Sequence, residues 1–121
     1  MPAPGKLVAV VDDDPNMLKA VSRLLRIYGF DPEVFTSAEE FLDSGTAEKA
    51  SCFVIDIHLG GISGIELRRR LAASDFTQPV IFMTAADDET TRQEALAAGC
   101  VAYLRKPFSA QLLIGAIQQT P

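Results

Sequence analysis

No apolar run in this chain of 121 residues approaches the roughly 20 needed for a membrane-spanning helix, so no membrane contact is expected. The opening residues, Met1-Pro2-Ala3-Pro4-Gly5-Lys6, lack the apolar stretch of a secretory signal, and the chain reads as cytoplasmic. Cysteine is scarce. Cys52 and Cys100 lie in apolar surroundings and form no CxxC pair, which points to buried free thiols and away from a disulfide or zinc site. His58 is the only histidine and has no ligand partner of its kind, which argues against a transition-metal or relay histidine. Cations are the minority: 11 Lys and Arg face 16 Asp and Glu, for a formal net charge of -5. That disfavours nonspecific nucleic-acid binding, which needs a basic face. There is no repeat, low-complexity stretch or internal linker, so a single domain over 1–121 is expected.

What is present is a pattern of apolar runs that end in polar groups. Leu7-Val8-Ala9-Val10-Val11 runs into three acids, Asp12, Asp13 and Asp14. Like charges crowded at a strand end repel, and a hard cation such as Mg²⁺ or Ca²⁺ would resolve the conflict through oxygen ligands. Cys52-Phe53-Val54-Ile55 ends in Asp56, Pro79-Val80-Ile81-Phe82-Met83 ends in Thr84, and Val101-Ala102-Tyr103-Leu104 runs into Arg105-Lys106-Pro107. A shorter strand is expected near Glu33-Val34-Phe35.

Amphipathic stretches alternate with these runs. Asp14 and Pro15 read as the cap and first residue of a helix, with Leu18, Val21, Leu25 and Tyr28 as its apolar stripe and Gly29 as its stop. Ser37 and Glu40 read as a capping box, with Phe41 and Leu42 facing inward. A third helix spans about Gly64 to Ala73, a fourth about Asp88 to Ala98, and a fifth starts at Ser109 with Phe108 and Leu113 as a staple. Continuous apolar strands alternating with helices imply an α/β fold, a parallel sheet covered on both faces. A five-stranded doubly wound sheet in the order 2-1-3-4-5 sets strands 1 and 3 together at the switch point. Asp12, Asp13, Asp56, Thr84 and Lys106 then gather at one sheet edge.

The motifs Val-Val-Asp-Asp-Asp-Pro at 10–15, Val-Ile-Asp at 54–56, Gly64, Met-Thr-Ala at 83–85 and Lys-Pro-Phe at 106–108 resemble the receiver domain of bacterial two-component response regulators. The resemblance spans nearly the whole chain. Phe35 to Leu42 is also similar to receivers joined to output domains of the LuxR/FixJ type. The resemblance implies that Asp56 accepts a phosphoryl group from a sensor histidine kinase. It implies that Asp12 and Asp13, with Asp56 and the backbone carbonyl of His58, hold Mg²⁺. Lys106 would meet the phosphoryl oxygens, Thr84 would hydrogen-bond one of them, and Ala85 would offer its backbone N–H. Pro107 after a cis bond would aim Lys106 into the site. Tyr103 would be a switch aromatic that follows Thr84.

The implied function is a phosphorelay switch, not a turnover enzyme, that assists its own phosphorylation and dephosphorylation. It would control an output domain, expected to be transcriptional and to lie in a longer regulator, or form a phosphorylation-dependent homodimer. One departure stands out: Gly60-Gly61 replaces the usual proline-glycine, which frees the loop carrying His58. Two rivals remain open. A Mg²⁺-dependent phosphatase with an aspartyl nucleophile would also want clustered carboxylates, but with acids two apart on the first strand and a longer chain. A flavodoxin-like electron carrier shares the fold, but would need a Ser/Thr/Gly-rich phosphate loop after strand 1.

Overall fold

The computed structural model describes residues 5–86 and 88–120. Five strands, β1 (Leu7–Val11), β2 (Asp31–Phe35), β3 (Cys52–Asp56), β4 (Val80–Thr84) and β5 (Ala102–Arg105), form one parallel sheet in the order β2-β1-β3-β4-β5. Five helices alternate with them: α1 (Pro15–Ile27), α2 (Ala38–Ser44), α3 (Gly64–Ala73), α4 (Glu89–Ala98) and α5 (Ala110–Gln118). The expected fold class and strand order are therefore observed.

Side chains alternate across a strand, so each central strand feeds two cores. Ala9 and Val11 of β1, Phe53 and Ile55 of β3 and Phe82 of β4 pack with Phe41 of α2, Leu67 and Leu71 of α3 and Ala95 of α4. Val8, Val10, Val54, Ile81 and Met83 pack on the other face with Leu18, Val21 and Leu25 of α1 and Leu113, Ile114 and Ile117 of α5. Every residue of β3 and β4 is buried, which explains their unbroken apolar runs. Cys52 is a buried free thiol whose pKa burial pushes up to about 11, while Cys100 is free and half-buried.

The helix starts follow the local chemistry. Asp14 accepts from the Asn16 backbone N–H, Ser37 from Glu40, Ser63 from Glu66, Asp88 from Thr91 and Ser109 from Leu112. Phe108 and Leu113 join the same cluster, as a staple requires. Gly29 follows α1 with φ +86°, the left-handed stop that glycine permits.

Several local expectations differ from the structure. Tyr28 lies just past α1 as its C-cap, off the helical stripe, and is half exposed. Leu42 also faces outward, and Phe41 alone anchors α2 with Ala38. Glu40 does not complete the capping box; its carboxylate accepts from the Thr36 hydroxyl at 3.1 Å. β2 starts two residues early, at Asp31, because the Asp31 N–H pairs with the Lys6 carbonyl and Pro32 is tolerated on an edge strand. Val101 lies outside β5 and is exposed.

Candidate functional site

Parallel strands deliver their carboxyl ends to one rim, and five expected site residues meet there. Asp12 and Asp13 follow β1, Asp56 ends β3, Thr84 ends β4 and Lys106 follows β5. The backbone holds the rim together: Asp12 N–H donates to the Phe35 carbonyl at 3.0 Å, Ile57 to Met83 at 2.9 Å, and Lys106 to Thr84 at 2.7 Å. The Lys106–Pro107 bond is cis, as expected.

Lys106 is the hub. Its Nζ donates to Asp12 Oδ2 at 2.7 Å and to Asp56 Oδ2 at 2.8 Å. The remaining oxygens are held by backbone: Asp12 Oδ1 accepts from Asp14 N–H and Asp56 Oδ1 from His58 N–H, both at 2.9 Å. Asp12 is fully buried, and burial raises its pKa despite the Lys106 and Asp14 bonds that pull it down; the nearby Asp56 charge adds to the rise. For Lys106, burial works to lower the pKa, but the bonds to Asp12 and Asp56 overcome it and hold the ammonium above its ordinary value.

One oxygen each from Asp12, Asp13 and Asp56 lies within 4.8 Å of the others. Asp12 and Asp56 are buried and Asp13 is exposed, so the cluster opens to solvent on the Asp13 side. Oxygen-only donors with an open side match a hard cation that keeps part of its water, and Mg²⁺ is such an ion. Asp14, read as a cap, is a cap.

Thr84 is buried, yet its hydroxyl is engaged within its own turn. It donates to the Ala86 carbonyl at 2.9 Å and accepts from the Ala86 N–H at 3.1 Å. Ala85 is exposed beside it. Tyr103 is half-buried against the α2/α3/α4 core, and His58 is exposed on the loop after Asp56. In that loop Gly61 has φ +90° and Gly60 does not take a left-handed φ, so glycine's freedom is used only at Gly61.

Gly64 has a geometric role that its motif only hinted at. A Cβ there would stand 2.2 Å from the Asp56 carbonyl oxygen and 2.9 Å from its carbon. The first turn of α3 thus lies directly on the backbone of Asp56. Nothing in the sequence distinguishes Arg68. It is one of three consecutive arginines, and only helical phase separates it from Arg69 and Arg70, which pair with Glu66 at the surface. Arg68 turns inward and its Nε donates to the Gly99 carbonyl at 3.1 Å.

The family model of the response regulator receiver domain matches residues 8–118. Nodulation protein W of Bradyrhizobium diazoefficiens is 36% identical over 111 residues, 92% of this chain and 49% of that protein. Transcriptional regulatory protein FixJ of the same species is 34% identical over 111 residues, 92% of this chain and 54% of that protein. The structure of response regulator StyR superposes with a TM-score of 0.88 at 39% identity, covering 96% of this chain and 59% of that one. The chain spans about half the length of the curated relatives it matches.

Proposed function

The chain belongs to the response regulator receiver domain family, and on that premise we propose that Asp56 is its phosphoacceptor. The carrying observation is the Asp12–Lys106–Asp56 bridge beside Asp13, acid and ammonium held together at the carboxyl end of the sheet. Neither rival class, phosphatase or electron carrier, has support among the relatives.

In the transfer, an Asp56 oxygen attacks the phosphorus of a phosphohistidine; the new P–O bond forms as the P–N bond breaks, and the imidazole leaves. The backbone N–H of His58 orients Asp56 throughout by holding Oδ1. Lys106 already contacts Oδ2, and it moves its charge onto the arriving phosphoryl oxygens, where stabilising anionic charge is the main catalytic task. Asp12, Asp13, Asp56 and the His58 carbonyl would hold Mg²⁺, which when bound neutralises phosphoryl charge. Donation from the Ala85 N–H completes the set. Receiver domains act as switches and not as turnover enzymes, so this constellation serves both phosphorylation of Asp56 and its later hydrolysis.

The switch reading starts from Thr84. Its hydroxyl leaves Ala86 to reach the phosphoryl group, the turn before α4 follows, and Tyr103 moves into the space released. The surface remodelled is that of α4, β5 and α5, where Leu96, Val101 and Leu112 are each more than half exposed. A homodimer or an output domain would dock there. The partners are a sensor histidine kinase and a transcriptional output domain; the receiver unit is 1–121, works in the cytoplasm, and contacts no nucleic acid itself. Among the described residues no helix is long and apolar enough to cross a membrane.

Intact-mass analysis with acetyl phosphate tests this. Wild type gains one phosphoryl group with Mg²⁺ and none without it, and Asp56→Ala gains none. Equal labelling of both proteins would reject Asp56.

A further inference from the structure

Among the five helices α4 is the most lightly anchored, since Ala95 is its sole buried residue. Its two ends are held by polar contacts instead. At the start, Asp88 accepts from the Thr91 N–H at 2.7 Å and from the Thr91 hydroxyl at 3.1 Å. At the end, Gly99 turns the chain with φ +86°, and its carbonyl accepts from Arg68 Nε of α3.

The Arg68 contact is unlike that of an ordinary surface arginine. No carboxylate pairs with it among the described residues, and its Nη1 is buried without a hydrogen-bond partner. Its charge reaches the half-buried Cys100 thiol, whose pKa burial raises and Arg68 partly lowers. A cavity of about 410 Å³ opens beside it, lined in part by Arg68, Thr77, Gln78, Gly99 and Cys100. A guanidinium suits the negative end of a helix, but leaving one of its N–H groups buried and unpaired is costly. An apolar side chain would anchor α4 without that cost. What the arginine adds is directionality, because a hydrogen bond weakens steeply once its geometry is lost.

We infer that Arg68 is a tether that holds the C-terminal end of α4 to α3 in the unphosphorylated protein and is released when α4 is displaced. The inference rests on the switch reading above. Arg68 touches neither phosphoacceptor nor metal, so it is a positioning residue. The unpaired Nη1 offsets part of what the Nε bond contributes, which leaves a restraint weak enough to yield, and the cavity gives the Gly99 turn room to move. A restraint on the resting state must weaken whatever ligand favours the switched state, by the same factor.

The test is the affinity for beryllofluoride with Mg²⁺, a stable stand-in for the phosphoryl group. Wild type, Arg68→Met, Arg68→Lys and the surface control Arg69→Met are compared, with folding checked by circular dichroism. Both Arg68 variants should bind about threefold to tenfold more tightly, because less free energy is needed to reach the competent state. Arg69→Met should match wild type. Amide exchange at residues 96–101 should quicken in the Arg68 variants before any ligand is added, with α1 unchanged. A merely structural anchor would move the affinity the other way. Equal or weaker binding by a folded Arg68 variant overturns the tether, with Arg68→Lys deciding if Arg68→Met does not fold. Wild type that fails to bind beryllofluoride overturns the phosphoacceptor reading itself, and the tether with it.

Discussion

Replacing Gly64 by alanine adds one methyl group at the first residue of α3 and should damage both fold and site. Its Cβ would meet the Asp56 carbonyl oxygen at 2.2 Å and Ile55 Cγ2 at 2.9 Å. Ordinary van der Waals separation demands a retreat of roughly 1 Å. Little there can retreat. Asp56 is in register with Met83 of β4, Ile57 N–H donates to Met83, and Gly64 N–H itself donates to Ile57 at 2.9 Å. Such overpacking costs about 1–3 kcal/mol, against at most about 1 kcal/mol gained from alanine's better helix propensity. A domain of this size loses about 4 °C of Tm per kcal/mol, so a net cost of up to about 2–3 kcal/mol lowers the thermal melt by up to about 8–12 °C. The same retreat shifts the backbone that carries Asp56 and the His58 N–H. Acetyl phosphate labelling should slow by about tenfold or more, since misplacements near 1 Å are expensive for positioned groups. A Gly64→Ala protein as stable as wild type, labelled at the wild-type rate, would refute the close approach.

Asp13→Asn should shrink the Mg²⁺-induced rise in Tm while raising stability without metal, by relieving repulsion in the acidic cluster; an unchanged Mg²⁺ shift would remove Asp13 from the ligand set. Lys106→Met should cost up to about 3 kcal/mol near pH 7, because Asp12 and Asp56 lose their cation. The Lys106 pKa is raised on folding, so its contribution is complete below the ordinary value of 10.5 and disappears as pH rises through the higher folded value. Urea melts from about pH 9 to about pH 12 should therefore show wild type losing more stability than Lys106→Met, and parallel curves would exclude the effect. Gly60→Ala should stabilise by about 0.4–1 kcal/mol, as no atom lies within 4 Å of the new Cβ and φ is not left-handed, whereas Gly61→Ala at φ +90° should destabilise; equal urea midpoints would contradict this loop geometry. Thr84→Ala should accept phosphate yet fail to dimerise with beryllofluoride in analytical ultracentrifugation, and a normal mass increase would reject Thr84 as the coupling group.

Much of this molecule was legible along the chain because the governing forces are local. Unbroken apolar runs as short as Val80 to Met83, bounded by Pro79, read as strands buried on both faces. Asp14, Ser37, Ser63, Asp88 and Ser109 cap helices through contacts two or three residues away. Parallel order then sends Asp12, Asp56, Thr84 and Lys106 to one rim, so the members of the site could be named from sequence. Their individual states could not. Asp12 and Asp13 are neighbours of identical chemistry, yet one is sealed against Lys106 and the other faces water, because the chain bends at Asp13 as it leaves β1. Thr84 rests on Ala86, a choice made by its own turn. Arg68, Arg69 and Arg70 are indistinguishable as letters. Only the phase of α3 against the packed end of α4 takes Arg68 to Gly99 and leaves the others with Glu66 in solvent. Periodicity and capping are properties of a segment; burial, pairing and the reach of one guanidinium belong to the contacts between segments, which form only when the sheet and both helix layers close together.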